Sequence, residues 1–260
     1  MSDNSLGMNR TLQIQLLDYS LLPVPMKRIS SSGAPCNQLS LEHVEHALSF
    51  AGEFGGQRVH IIGGEPTLSP LLLPSLALAT DQGITDIHVL SGLSYVPLCL
   101  VQQFRDHNVK LKTWFYSDDA DIHEEMTGDI CSWTHTLQGM EICLSLGVDL
   151  EVCIPLLEET LDRLEETICF LQDLGIRNIR CIEDLTLKDV LGPGTRTAKP
   201  VGKTARKHIN KTRRASTGQV SIWANGDASF ETETCHRFLG SLHYAPLQDL
   251  LFLDQRETLF

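Results

Sequence analysis

The stretch Val59-His60-Ile61-Ile62-Gly63-Gly64-Glu65-Pro66-Thr67-Leu68 decides how the rest of this chain is read. Val59 to Ile62 has the length and apolar content of a short buried strand, and two glycines stop it sharply. A carboxylate and a proline follow, then Leu71 to Thr80 keeps helical spacing. A Gly-Gly pair at the carboxyl end of a strand lets backbone approach a ligand closely, because no Cβ intervenes. In parallel sheets that edge is where ligands bind. The same turn also serves as a purely structural strand-to-helix connection, with Glu65 holding backbone amides.

Working outward, the pattern of a strand and then a helix recurs. Thr11 to Tyr19 reads as a first strand, and Ser20 to Leu39 is a loop rich in proline, serine and glycine. Ser40 caps a helix striped by Leu41, Val44, Ala47, Leu48 and Ala51. Strands are predicted at 86–91, 109–116, 148–155 and 176–182, with helices at 96–107, 133–146 and, striped by Leu161, Leu164, Ile168 and Leu171, after residue 160. Six strands alternating with five helices predict an α/β fold with a parallel sheet, either a partial barrel or doubly wound. Gln219–Trp223 and Ala228–Phe230 flank Asn225-Gly226, a hairpin signal that opens a small C-terminal unit.

Composition bounds the function. Hydrophobic residues make up 42% and charged residues 21% of 260, as in ordinary globular proteins. No apolar run reaches the roughly 18 residues of a membrane span. Met1 to Arg10 has no basic segment leading into an apolar core, so a cytoplasmic location is expected. The net charge is −12, yet Gly194 to Arg214 holds eight cations and no acid. Long-range attraction suits that run to an acidic peptide, and Arg206, Lys207, Lys211, Arg213 and Arg214 are the candidate partner-binding residues. Nucleic acid is not expected there, because no aromatics interleave with the charges. Gly202-Lys203-Thr204 is not a phosphate loop, since Thr197 occupies the required glycine position.

Metal-binding patterns are sparse. The eight cysteines include no C-x-x-C pair. His43 and His46 share one helix face but show no third ligand nearby, and Cys235-His236 is at most half of a site. Glu158, Glu159, Asp162, Glu165 and Glu166 read as a solvated helix face.

The order of these features resembles the radical S-adenosylmethionine superfamily, in its peptide-modifying branch with a C-terminal SPASM or twitch extension. Gly63-Gly64-Glu65-Pro66-Thr67-Leu68 resembles the family's Gly-Gly-Glu-Pro motif, which meets the cofactor's methionine amino group. Ser91-Gly92 stands where the family often has Thr-Asn-Gly, and Tyr116 to His123 with Thr127-Gly128 is similar to the segment after the fourth strand. Ala224 to Asp227, Cys235 and Leu239 to Leu242 resemble the start of the extension. The resemblance implies a partial (β/α)6 barrel over 1–190, a basic flexible linker over 191–218 and a truncated SPASM/twitch-like β-hairpin extension over 219–260. It implies cofactor contacts at Gly63, Gly64, Glu65, Pro66, Ser91 and Ser117.

One departure changes the expected chemistry. The family's C-x-x-x-C-x-x-C motif, whose thiolates hold a 4Fe–4S cluster, has no counterpart in Ser20 to Ser30, and Cys36 is the one thiol of that loop. No catalytic residue, metal site or cluster is therefore expected, and S-adenosylmethionine is the ligand that could remain. The implied role is a catalytically degenerate partner or substrate-presenting subunit in maturation of a ribosomally made peptide. Its partners would be an active radical enzyme, another maturation enzyme or an acidic leader peptide. The alternatives are a non-radical enzyme that binds S-adenosylmethionine, and a radical enzyme whose atypical cluster uses Cys36 and ligands from a partner.

Overall fold

Short strands with one apolar face, each followed by a helix with one apolar stripe, bury both by stacking in two layers. The computed structural model describes residues 11–18, 37–53, 58–182, 218–231 and 236–250. Six parallel strands, β1 (Thr11–Gln15), β2 (Arg58–Ile62), β3 (Asp86–Leu90), β4 (Lys110–Trp114), β5 (Asp149–Pro155) and β6 (Asn178–Ile182), lie side by side in chain order. The helices are α1 (Leu41–Glu53), α2 (Leu72–Asp81), α3 (Leu98–Asp106), α4 (Ala120–Thr127), α5 (Ser132–Leu146) and α6 (Leu164–Asp173). Consecutive strands that pair in chain order through helical crossovers give the predicted α/β architecture, and the sheet stays open.

Three more strands extend this sheet. β7 (Gln219–Ile222) pairs in parallel with β1, and β8 (Asp227–Glu231) and β9 (His236–Ser241) follow antiparallel. The predicted hairpin is β7–β8, and it joins the first strand of the main sheet.

Register separates the two faces. Ile222, Ile14, Ile61, Val89, Leu111 and Leu150 form one continuous row across six strands. Each is buried and belongs to the core that also holds Val44, Leu48, Leu76 and Phe104 of the helices. The five acidic residues from Glu158 to Glu166 are all exposed, as expected of a solvated face.

Local chemistry sets the ends of the elements. Ser40 Oγ accepts from the amide of His43 at the start of α1. Asp119 accepts from the amides of Asp121 and Ile122 to cap α4, and Gly128 ends that helix in the left-handed region at φ 70°. Among the described residues no helix is long and apolar enough to cross a membrane.

Candidate functional site

The Gly63-Gly64-Glu65-Pro66 turn sits at the carboxyl edge of β2, and its groups are bound to the protein itself. A Cβ at Gly63 would stand 3.2 Å from the Leu17 carbonyl oxygen and 3.3 Å from the Pro66 nitrogen, tighter than most such contacts. Gly64 donates its amide to that same Leu17 oxygen at 2.9 Å. The Glu65 carboxylate accepts four hydrogen bonds. Oε1 takes the Thr67 amide (3.1 Å), the Thr67 hydroxyl (2.7 Å) and the Ser91 hydroxyl (2.8 Å), while Oε2 takes the Gly92 amide (2.8 Å). Glu65 thus straps the turn after β2 to the turn after β3. Pro66 opens a single 3₁₀ turn over Pro66–Leu68.

The second turn is gripped from behind by α5. Thr136 donates its hydroxyl to the Gly92 carbonyl at 3.0 Å. Leu93 holds the left-handed conformation at φ 59°, and a Cβ on Gly139 would fall 2.5 Å from its carbonyl oxygen. Ser91 is therefore joined to Glu65 directly. Ser117 lies apart from that cluster, fully buried, and accepts from the Asp119 amide at 3.1 Å.

The chain on either side of residues 19–36 is pinned beside the same turn. Leu17 and Gln38 form an antiparallel bridge, and Asp18 accepts from the amide and the side chain of Asn37 at 2.8 and 2.7 Å. Cys36, Cys235 and the partner-binding candidates Arg206, Lys207, Lys211, Arg213 and Arg214 lie outside the described residues. Of the other cysteines, Cys143 and Cys153 are buried, and burial pushes both thiols up to about 12.

On the sheet face opposite the apolar row, Ser221, Gln13, His60, His88 and Lys110 occupy one register row. The rings of His60 and His88 meet edge to face at 4.9 Å. Asp86 takes Arg58 at 2.6 Å, Lys110 at 2.8 Å and His88 Nε2 at 2.9 Å. Burial opposes ionisation of Asp86, but the bonds from Lys110 and Arg58 outweigh it and hold the carboxyl well below its usual range. Burial, then the nearby Lys112 charge, lowers His88 to about 4 and His60 well below its ordinary value. Both rings are therefore neutral near pH 7.

Sequence reading missed this polar face, although alternation in the strands carries its signal. Gln13, Gln15, Arg58, His60, Asp86, His88, Lys110 and Lys112 recur at every second position, where fully buried parallel strands read as continuous apolar runs. It also missed a third histidine near His43: His243 meets it edge to face with ring centroids 4.8 Å apart, and its Nε2 lies 3.0 Å from the Asn225 carbonyl oxygen. Among the described residues, no three His, Cys, Asp or Glu side chains are placed to hold a metal ion.

No family model matches the sequence, and no curated protein matches it. Solved structures do match. SuiB of Streptococcus suis aligns with a TM-score of 0.63 at 14% identity, over 84% of this chain and 59% of SuiB. anSMEcpe with bound AdoMet aligns at 0.66 and 11% identity, over 93% of this chain and 80% of that one. HydG, a maturase of the FeFe-hydrogenase, aligns at 0.52 and 12% identity, over 73% of this chain and 47% of that one. This chain spans only part of each, and its α/β fold is the one shared by these radical S-adenosylmethionine enzymes.

Proposed function

We propose that this protein keeps the radical S-adenosylmethionine fold without the radical chemistry, and acts as a partner or substrate-presenting subunit in maturation of a ribosomally made peptide. The observation that carries the reading is Glu65, whose carboxylate is taken up by four donors of the chain itself. In this reading Gly63, Gly64, Glu65, Pro66 and Ser91 brace the mouth of the sheet, Ser117 caps the chain after β4, and none of them has to contact S-adenosylmethionine for the motif to be retained. The donor set does not fit a 4Fe–4S cluster. Such clusters are held by several thiolates, and the loop after β1 has Cys36 alone.

Two observations support a peptide as the partner. The related fold of SuiB has been solved with its precursor peptide SuiA bound. The basic run that contains Arg206, Lys207, Lys211, Arg213 and Arg214 carries the charge an acidic leader would meet. The division into a barrel-like unit (1–190), a basic linker (191–218) and a short extension (219–260) belongs to the same reading.

The test combines anaerobic reconstitution, calorimetry and co-purification. We expect iron far below a full cubane and no heat from millimolar S-adenosylmethionine. We also expect a complex with a co-expressed maturation enzyme or acidic leader peptide that weakens when those five cations become glutamine. A stoichiometric cluster, or S-adenosylmethionine binding that is lost in Glu65→Ala, would sink the proposal.

A further inference from the structure

We propose that the polar face of the sheet, from Gln13 on β1 to Lys112 on β4, binds an elongated small-molecule anion. Its acid group would sit at Lys112, and a hydrogen-bonding tail would reach Gln13. This site goes beyond the partner reading and does not depend on it.

The charges on this face do not balance locally. From β2 to β6, Arg58, Lys110, Lys112 and Arg180 stand against Asp86, Glu151 and the exposed Asp149, which lies in register with Lys110. Asp86 is shared by Arg58 and Lys110, and Glu151 is held by Arg180 at 2.7 Å. Lys112 is left without a hydrogen bond or ion pair among the described residues, although burial already disfavours its charge. Lys112 is half-buried, and an ammonium partly withdrawn from water is favoured by an anion that compensates it. Glu151 is the first electrostatic compensation, and Arg180 already occupies it.

Unpartnered polar atoms mark the rest of the site. Gln13 is 1% exposed, and both its carboxamide oxygen and nitrogen lack a partner. His88 Nδ1 and Trp114 Nε1 are also buried and unpartnered. Trp114 shares the face of Lys112, two residues along β4. Buried groups of this kind nearly always find a partner in the protein, in water or in a ligand.

Their chemistry defines what fits. His88 Nε2 is 2.9 Å from the Asp86 carboxylate, so in the neutral ring Nε2 carries the proton and Nδ1 is a bare acceptor. The face therefore offers an ammonium and an indole N–H for acid oxygens on β4. It offers an acceptor at its centre and a carboxamide that both donates and accepts on β1. A ligand with an acid group and at least one N–H or O–H satisfies all of them. Neighbouring strands lie about 4.8 Å apart, so the three steps from β4 to β1 span about 14 Å along the sheet. A lone inorganic ion is too short, and a cation is repelled. At its Gln13 end the site is separate from the turn after β2, because His60 precedes Gly63 by three residues, about 10 Å along the strand, whereas Lys112 stands level with Ile62.

Two acids of different chemistry test the site on the full chain: N-acetylglutamate for carboxylates and uridine monophosphate for phosphates. Each is titrated beside an uncharged counterpart, N-acetylglutamine amide or uridine. Binding is read from thermal shift and from Trp114 fluorescence, with Trp114→Phe as the blank. One acid is expected to bind at millimolar concentration or below while its uncharged counterpart does not. Lys112→Gln should weaken it about tenfold or more. Gln13→Leu should weaken binding yet raise the melting temperature of the free protein, since it removes two unpartnered polar atoms. If Lys112→Gln does not fold, Gln13→Leu decides. The proposal is overturned if neither acid binds, if Lys112→Gln binds as tightly as the parent, or if Gln13→Leu leaves affinity unchanged.

Discussion

Replacing Glu65 with alanine separates a brace from a ligand contact, because the two roles predict opposite behaviour in the free protein. The substitution removes the acceptor of two backbone amides, Thr67 and Gly92, and of two hydroxyls, Thr67 and Ser91. A hydrogen bond to a charged partner contributes about 1.5–3 kcal/mol, and a stranded donor costs about 1–3 kcal/mol. Glu65 is half-buried, so water reaches part of the vacated space and the hydroxyls can turn toward it. The two amides dominate, and Glu65→Ala should lose about 2–4 kcal/mol. At about 2–4 °C per kcal/mol for a chain of this size, the melting temperature should fall roughly 5–15 °C. Glu65→Gln is the informative partner. Its carbonyl oxygen can stand at Oε1 and keep three donors, which turns the amide nitrogen against the Gly92 N–H, so the loss should be smaller, about 1–2 kcal/mol. Urea unfolding followed by tryptophan fluorescence gives both numbers, and hydrogen exchange at Gly92 and Thr67 locates them. A Glu65→Ala protein within about 0.5 kcal/mol of the parent, with both amides still protected, would refute the strap.

Gly139→Ala should destabilise by about 1–3 kcal/mol despite alanine's better helix propensity, since the new Cβ meets the Leu93 backbone at 2.5 Å. Gly83→Ala, at φ 74° with open space around it, should lose only about 1 kcal/mol of conformational strain. His123, 1% exposed, is lowered by burial from 6.5 to about 4, so the unfolded chain takes up its proton first as pH falls. Stability should therefore drop between pH 6.5 and 4, by on the order of 2–3 kcal/mol for this group, and His123→Asn should flatten that limb in urea midpoints. Asp86 works at lower pH. Its folded value is depressed, so it stabilises above its unfolded value of 3.8, and that contribution fades as pH falls below it; Asp86→Asn should remove this acid limb.

Elements with a strong period were legible in the sequence, and those set by tertiary contact were not. β2 and α1 announce themselves through an apolar run ended by Gly63-Gly64 and a stripe behind Ser40. α4 passed unnoticed because only His123 of its eight residues is buried, which leaves no stripe to detect. β9 was missed for a related reason: it is the outer strand of the sheet, and its residues are only partly buried. At the site, Gly63 and Glu65 were visible as a motif, but the donors that occupy Glu65 were not. Ser91 and Gly92 lie 26 and 27 residues further on, and strand pairing alone brings them to the carboxylate. Thr136 and Gly139 are more distant still, and nothing local marks a helical glycine as the room for a left-handed leucine.

That arrangement gives the Gly-Gly-Glu-Pro turn a structural role of its own. Gly63 leaves room for the Leu17 carbonyl, which also receives the Gly64 amide, so a side chain at 63 would push β1 and β2 apart where Leu16 and Leu39 continue the ladder. Glu65 then ties β2 to β3, and Gly92, held by Thr136, ties β3 to α5. The chain braces the mouth of its sheet through contacts that run from residue 17 to residue 139. Selection for folding alone would preserve such a turn. The alternating polar residues beneath it are different, because burying Gln13 and half-burying Lys112 without partners lowers stability, and an apolar substitute at Gln13 would fold more securely. The part of the site that resembles a known motif thus contributes to stability. The part that resembles none is the part that stability opposes, and the anion proposed for it would offset that cost.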